Sequence, residues 1–388
     1  MTPMTEYNNT GQQQPVVGTL PDHVVRAYDA TRSLQHQPFR AACYAPFTTL
    51  EFTVNGEVVA CWRSAQYVLG RVGEETLDAI WNGPRIQALR EHLGRYEFLE
   101  CCRSCHWQIG TGDVESVQSR WYDFLDAEPA ARWPRQFYFS LGNECNYACV
   151  MCNGEVSSTF RARIEGRPPK PVVYNDAFFE QLDEYLPHLQ AASFFGGEPF
   201  LVPGNYRVWD RLIALQSQAH IHINTNGSTL NDRVRSYLDR LNIGTIAVSI
   251  DGATKETFES VRRFSQFEKV MEHLEYFATF CRERGKRLNV VACILRQNYH
   301  ELPQIYRLAQ RLGGFVTINL VTNPAMHSVY ALPAADRLRI RNVLQEAYRS
   351  MAVELSPVNA SSFRGLIATM GTSPAEAGGR LATASPHP

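Results

Sequence analysis

Cys145, Cys149 and Cys152 stand close together in the run LGNECNYACVMCNGE. Their spacing is Cys-x3-Cys-x2-Cys, and no fourth cysteine follows nearby. A four-iron cubane ordinarily takes four thiolates. Three thiolates on one short loop leave one iron open, and an open metal position is where chemistry can happen, by the logic that separates catalytic from structural zinc sites. The remaining cysteines are also unevenly spread. Of the ten in the chain, Cys43, Cys61, Cys101, Cys102 and Cys105 form a second group, and only Cys281 and Cys293 stand alone. This density is far below the roughly 8–10% of a disulfide scaffold. In a reducing compartment, grouped thiols bind metal or carry out redox chemistry.

The elements that must position these groups fall into two blocks. The first runs from about 40 to 107 and opens with FTTLEFTVNGEVVACW, where alternating apolar residues flank Asn55-Gly56, a hairpin signal. Helical spacing follows in Leu77, Ile80 and Trp81 and again in Ile86, Leu89 and Leu93. A bridge rich in charge and aromatic residues spans about 108–134. The second block, 135–355, alternates strand and helix patterns. Its strand candidates are QFYFSLG, AASFF, HIHIN, IGTIAVSI, LNVVACI and FVTINL. Six β–α units in succession predict a parallel sheet, curled as a barrel or open. Ligands in such folds sit at the C-terminal ends of the strands, and the cysteine trio follows the first strand. Residues 1–20, rich in Thr, Asn, Gln and Pro, and 356–388, rich in Ala, Ser, Gly and Pro, are expected to be disordered.

Bulk properties exclude several classes. The formal net charge is −1 over 388 residues, so no general affinity for nucleic acid or an anionic membrane is implied. No stretch approaches the ~18 apolar residues of a spanning helix. The polar N-terminus has no apolar signal core, which places the protein in the cytoplasm.

Further chemistry-bearing residues fall at strand ends. Gly196-Gly197-Glu198-Pro199 follows the second strand; two glycines permit close backbone approach to a ligand and Glu198 offers a carboxylate, although a tight turn with a surface acid would read the same. The segment lacks the Lys-Ser/Thr of a phosphate loop. Asn224-Thr225-Asn226-Gly227 follows the third strand, where amides suit sugar hydroxyls or a plain turn. Ser249-Ile250-Asp251-Gly252 follows the fourth and is either a polar ligand contact or a helix cap. Arg262 and Arg263 come next, able to fork onto a carboxylate or to stay solvated. Cys293, on the fifth strand candidate, is either a hydrogen-atom donor or a small buried hydrophobe. Cys281 reads as packing, and His220, His222 and His300 show no ligand pairing.

Taken together on one rim, these features make residues 136–325 resemble the radical SAM superfamily. Cys145, Cys149 and Cys152 match its cluster motif. Gly196, Gly197, Glu198 and Pro199 match its GGEP segment, which in the family contacts the amino group of S-adenosylmethionine (SAM). Ser249, Asp251 and one of the two arginines, here Arg262, fall where family members hold the ribose or the SAM carboxylate, and the amides of Asn224 and Asn226 are taken with them as cofactor-binding candidates. Met151 stands where many members carry an aromatic. The resemblance implies a partial (β/α)6 TIM-like barrel, a catalytic 4Fe–4S cluster and SAM as cosubstrate. It also implies reductive cleavage of the sulfonium to a 5′-deoxyadenosyl radical that abstracts hydrogen from a substrate, with the electron supplied by a flavodoxin- or ferredoxin-type donor.

The first block, taken as 21–107, resembles the SPASM and twitch extensions of the same superfamily. The run Cys43-x12-Gly56-x4-Cys61, the segment DAIWN and the pair Cys102-x2-Cys105 carry that resemblance. It implies a small cysteine-rich α+β domain in which Cys43, Cys61, Cys102 and Cys105 bind one auxiliary 4Fe–4S cluster, with Cys101 spare or exchanging with Cys102. The same four thiolates would also build a structural zinc site. These extensions usually follow the barrel; here the block precedes it. Relatives so built act on ribosomal peptides, or oxidise or epimerise sugars and aminocyclitols. Peptide or other natural-product maturation is the expected activity, a small-molecule dehydrogenase or epimerase the alternative, and a non-catalytic iron–sulfur electron carrier the more distant one.

Overall fold

The computed structural model describes residues 15–114 and 117–370. In the first block β1 (Val16–Thr19) precedes β2 (Thr49–Phe52), β3 (Glu57–Val59), β4 (Gly70–Arg71) and β5 (Glu97–Leu99). β2 and β3 form the expected hairpin around Gly56, whose φ of 78° lies in the left-handed region. An added Cβ there would meet Val173 Cγ1 at 2.4 Å, so both backbone and packing require glycine. Helices Leu77–Trp81 and Pro84–Gly94 bury the apolar positions read from the sequence. The first is capped by Thr76, which accepts from Ala79 N–H, and the second begins on proline.

In the second block β6 (Gln136–Phe139), β7 (Ala148–Cys149), β8 (Ala191–Phe194), β9 (His220–Thr225), β10 (Ile243–Ser249), β11 (Arg262–Arg263), β12 (Arg287–Ile294) and β13 (Phe315–Leu320) follow in order. Six of them pair parallel in the order β6-β8-β9-β10-β12-β13. The order never reverses, so the sheet winds in one direction and curls as a partial barrel rather than forming a doubly wound sheet. Ile221, Ile246, Val290 and Val316 pack into the core beneath the helices. Alternate residues, among them His222, Asn224, Thr245, Asn289 and Thr317, line the inner face.

Two sequence expectations change. The first block is not a separate unit joined by a bridge: β2 pairs in parallel with β6, from Thr49 opposite Gln136 to Phe52 opposite Phe139. The hairpin therefore extends the barrel into one nine-stranded sheet, and both blocks share one core. A pairing across more than 80 residues leaves no local signal. The ends are also more ordered than expected. Val16–Thr19 pairs with β5, and residues 357–369 form a helix whose Phe363 stacks on Tyr306 at 4.5 Å. That helix covers the edge of β13, where Asn359 Oδ1 accepts from Val316 N–H at 2.8 Å. Phe363, Leu366, Ile367 and Met370 have helical spacing, which the Ala/Ser/Gly/Pro composition of the longer segment masks. The rest of both expected disordered segments lies outside the described residues, apart from short flanks.

Candidate active site and a second cysteine pocket

The cysteine loop leaves β6 and is held by the start of the next helix. Ser158 Oγ accepts from Cys145 N–H and donates to Cys145 O, Thr159 Oγ1 donates to the same carbonyl at 2.6 Å, and Ser157 Oγ donates to Tyr147 O. Its other end is strand β7, paired antiparallel with β11 so that Cys149 stands opposite Arg262. This pairing distinguishes the two arginines. Arg262 is buried and its Nη2 lies 2.7 Å from Asp251 Oδ2, whereas Arg263 is exposed. Asp251, fully buried, also accepts from Cys293 N–H at 2.6 Å. Burial works against the Arg262 charge, but Asp251 and the neighbouring Cys149, Cys293 and Cys152 raise its pKa above the usual guanidinium range. A cation is thus fixed beside the cysteine loop by a buried carboxylate. Asp251 holds Arg262 through Oδ2 and the Cys293 N–H through Oδ1.

The glycines of the GGEP segment are forced by contact. A Cβ on Gly196, whose φ is 101°, would lie 2.7 Å from Gly142 O, and one on Gly197 would lie 2.3 Å from Glu144 O. The segment therefore abuts the cysteine loop, and Glu198 N–H donates to Glu144 O at 2.7 Å. The Glu198 side chain does not meet an open surface. Oε1 accepts from Thr225 Oγ1 and Oε2 from Asn226 N–H, both at 2.7 Å, and burial raises its pKa to about 7. Glu198 braces two strand-end loops instead of presenting a free carboxylate. Pro199 O accepts from Asn205 Nδ2, anchoring the same turn.

Asn226 reaches the cysteines. Its Nδ2 lies 3.7 Å from Cys145 Sγ and 3.1 Å from Asn146 Oδ1, and Ser228 Oγ donates to that same Asn146 oxygen. Asn146, Ser158 and Thr159 were not singled out from the sequence. The Ser157-Ser158-Thr159 run did carry a helix N-cap signature; Asn146 read only as a spacer. Ser249 stands opposite Val291, on the barrel's inner side. Asn224 lies deeper, in the barrel chamber, apart from the cysteine loop. Cys293 is enclosed at the upper end of β12, where burial raises its thiol pKa.

The second group converges from well-separated segments. Cys43, Cys61, Cys101, Cys102 and Cys105 line one pocket with Leu89, Leu93, Phe98, Gln118 and Tyr122. Cys101 Sγ and Cys102 Sγ are 3.8 Å apart and both face it, so the spare cysteine is not separated from the ligand set. Among the described residues no three Cys, His, Asp or Glu side chains close tightly on a single-ion position.

The donor chemistry at both places fits iron–sulfur clusters. Burial pushes Cys145 to about 11, Cys61 to about 12 and Cys105 to about 11, so the thiolates a cluster needs form only with a cation present. In the second pocket Gln118 has buried, unpartnered polar atoms, and the buried Tyr122 hydroxyl faces Cys61. These are groups suited to hydrogen-bond sulfur.

A family profile for the radical SAM superfamily matches residues 139–309, and one for an iron–sulfur cluster-binding domain, SPASM, matches residues 43–106. The chain belongs to the radical SAM superfamily. It is 25% identical over 194 residues to the mycofactocin maturase of Mycobacterium tuberculosis, covering 50% of this chain and 45% of that protein. It is 26% identical over 137 residues to the GTP 3′,8-cyclase of Streptomyces coelicolor, covering 35% and 38%. It is 24% identical over 184 residues to the AdoMet-dependent heme synthase of Methanosarcina barkeri, covering 47% and 48%. The chain thus spans about half the length, or less, of these curated relatives. Among solved structures, anSMEcpe with bound AdoMet matches at TM-score 0.42 and 18% identity, over 56% of this chain and 61% of that one. Streptococcus suis SuiB bound to precursor peptide SuiA matches at TM-score 0.42 and 13% identity, over 72% and 53%. The radical SAM core is thus preceded, not followed, by the SPASM-type segment.

Proposed function

We propose that this chain is a radical SAM maturase that acts on a peptide. The observation that carries the reading is the three-thiolate loop, left with one ligand short, wedged between the glycine turn and the buried Arg262–Asp251 pair. Cys145, Cys149 and Cys152 would hold a 4Fe–4S cluster, and Cys43, Cys61, Cys105 and Cys102 or Cys101 an auxiliary one. The first cluster, when bound and reduced, would supply the electron for reductive cleavage of SAM.

The protein's own contribution is placement. Asn226 donates toward Cys145 sulfur and draws electron density from it. Arg262 sets a fixed positive charge where an incoming carboxylate is favoured. The glycine turn brings backbone within reach of a ligand amine, and Glu198 holds that turn rigid. Ser249 faces the ligand side of β10 and is positioned for a ribose hydroxyl. The likeness to the mycofactocin maturase supports maturation as the outcome. An external flavodoxin- or ferredoxin-type donor would reduce the cluster.

The test is anaerobic reconstitution with iron and sulfide, followed by SAM and dithionite. Release of 5′-deoxyadenosine, absent without dithionite, is the expected result. A fully reconstituted sample that leaves SAM intact would refute the proposal.

A further inference from the structure

The barrel's inner face is unusually polar for a packed core. Asn224, Ala247 and Asn289 stand side by side on β9, β10 and β12, in register. The two carboxamides thus flank a methyl group, about 10 Å apart between outer strands. Asn224 Oδ1, Asn289 Oδ1 and Thr245 Oγ1 are each buried without a hydrogen-bond partner. Asn289 is 7% exposed and Thr245 3%. All three line one cavity of about 750 Å³, its open mouth included, and share it with the rings of Trp121, Tyr138 and Phe195. An unpartnered buried polar atom is destabilising. Three from adjacent strands, pointing into one space, are a cost that a bound group would relieve.

We infer that this rung is a substrate subsite for an uncharged group that donates hydrogen bonds, of the kind a peptide amide presents, with Asn224, Asn289 and Thr245 as its acceptors. The inference rests on the proposed function and narrows its substrate. Two carboxamide oxygens and a hydroxyl call for N–H or O–H donors. The cavity wall contains no Asp, Glu, Lys or Arg. A buried ion there would have no counter-charge, and its desolvation would go uncompensated. His222, on the same wall, is held neutral by burial, its pKa lowered to about 4. The rings supply flat apolar surface against which a planar amide packs. Phosphorylated or carboxylated small molecules are thereby disfavoured.

The rung's depth assigns its part in the reaction. Asn289 precedes Cys293 on β12 by four residues, about 13 Å along the strand. The amides therefore hold a flank of the substrate, and the carbon to be attacked lies nearer the cysteine loop. This makes them positioning residues.

The test is ligand-observed saturation-transfer NMR on the full chain, with three probes: N-acetylalaninamide, lysinamide and glycerol 3-phosphate. A saturable response to N-acetylalaninamide alone, weakened at least tenfold in Asn289→Leu, is the expected result. Because the substitution removes an unpartnered acceptor and keeps the branched shape, with its bulkier methyls facing the cavity, the variant should melt close to the parent. The inference is overturned by no saturable response to the neutral probe, by an equal response to either charged probe, or by unchanged binding in Asn289→Leu. The assay needs neither cluster nor SAM. Failure to release 5′-deoxyadenosine would sink the proposed function with these binding data unaffected.

Discussion

The two cysteine sites are built from the same side chain and differ in how they are assembled and what surrounds them. The trio comes from one eight-residue loop, and its neighbours are polar: Arg262, Asp251, Asn226 and Asn146. The N-terminal group is gathered from residues 43 to 105, with Leu89, Leu93 and Phe98 packed on one side of it and Arg63, Gln118 and Tyr122 as polar neighbours. A site that must grip a charged cosubstrate needs fixed charge and donors within reach. A site that only holds electrons, or braces the fold, is served by apolar walls. The sharpest way to break this contrast is to remove thiolates from each side. Replacing Cys145, Cys149 and Cys152 by alanine should take release of 5′-deoxyadenosine to background. Replacing Cys61 and Cys105 should leave that release measurable while iron per chain falls from about eight to about four. Iron and sulfide analysis with product chromatography checks both. Equal loss from the two variants would erase the distinction.

The polar neighbourhood of the trio can be dissected further. Asp251→Asn leaves the Arg262 charge buried without its partner, a change that should cost about 3–5 kcal/mol and weaken SAM binding. Arg263→Ala, on the exposed side of the same two-residue strand, should stay within about 0.5 kcal/mol. Chemical denaturation and a SAM titration of the three proteins would show the ordering. Equal effects at 251 and 263 would mean that the buried pair does not position the site.

Sequence reading reached some of this and stopped at identifiable places. The six barrel strands were visible because β-branched and aromatic residues alternate between turn signals, and the trio because its spacing is local. The choice between Arg262 and Arg263 was not visible: adjacent residues in a strand face opposite ways, and only the pairing of β11 with Cys149 and Ala148 decides which one is turned inward. The parallel union of β2 with β6 was hidden for the same reason, since it joins segments with no shared pattern. Glu198 was readable as a strand-end acid, but its enclosure by Thr225 and Asn226 belongs to the tertiary structure. The C-terminal helix was obscured by its composition.

Glu51 lies on the edge between the two regions. It stands opposite Tyr138, whose ring lines the barrel chamber, and its neighbours include Cys61 and Tyr122. Burial raises its pKa from 4.5 to about 7, only partly offset by the Trp62 N–H. The folded state therefore binds this proton more tightly than the unfolded chain. Its stabilising contribution is complete below pH 4.5 and is lost as pH rises through about 7. Integrated, the change is about 3 kcal/mol. Glu51→Gln should flatten the decline in stability across that window and leave the portion due to Glu198, which burial also raises to about 7. Urea midpoints measured from pH 4.5 to 8 would show this, and an unaltered slope would mean that Glu51 is hydrated in solution.

The smallest expected effect refines the apolar side of the contrast. The buried Tyr122 hydroxyl faces Cys61 and is the donor best placed for that thiolate. A hydrogen bond to a ligating sulfur stabilises the more reduced, more negative state of a cluster, so removing it should lower the midpoint potential. A bond of about 1 kcal/mol corresponds to roughly 40 mV for a one-electron couple, given 59 mV per tenfold. Tyr122→Phe, made in the background lacking the catalytic trio so that only the N-terminal cluster is present, should shift that midpoint negative by about this amount in an EPR-monitored titration. Zinc in place of iron would give no such signal. A cluster whose potential ignores the substitution would place the hydroxyl away from the sulfur, leaving Gln118 as the donor to examine next.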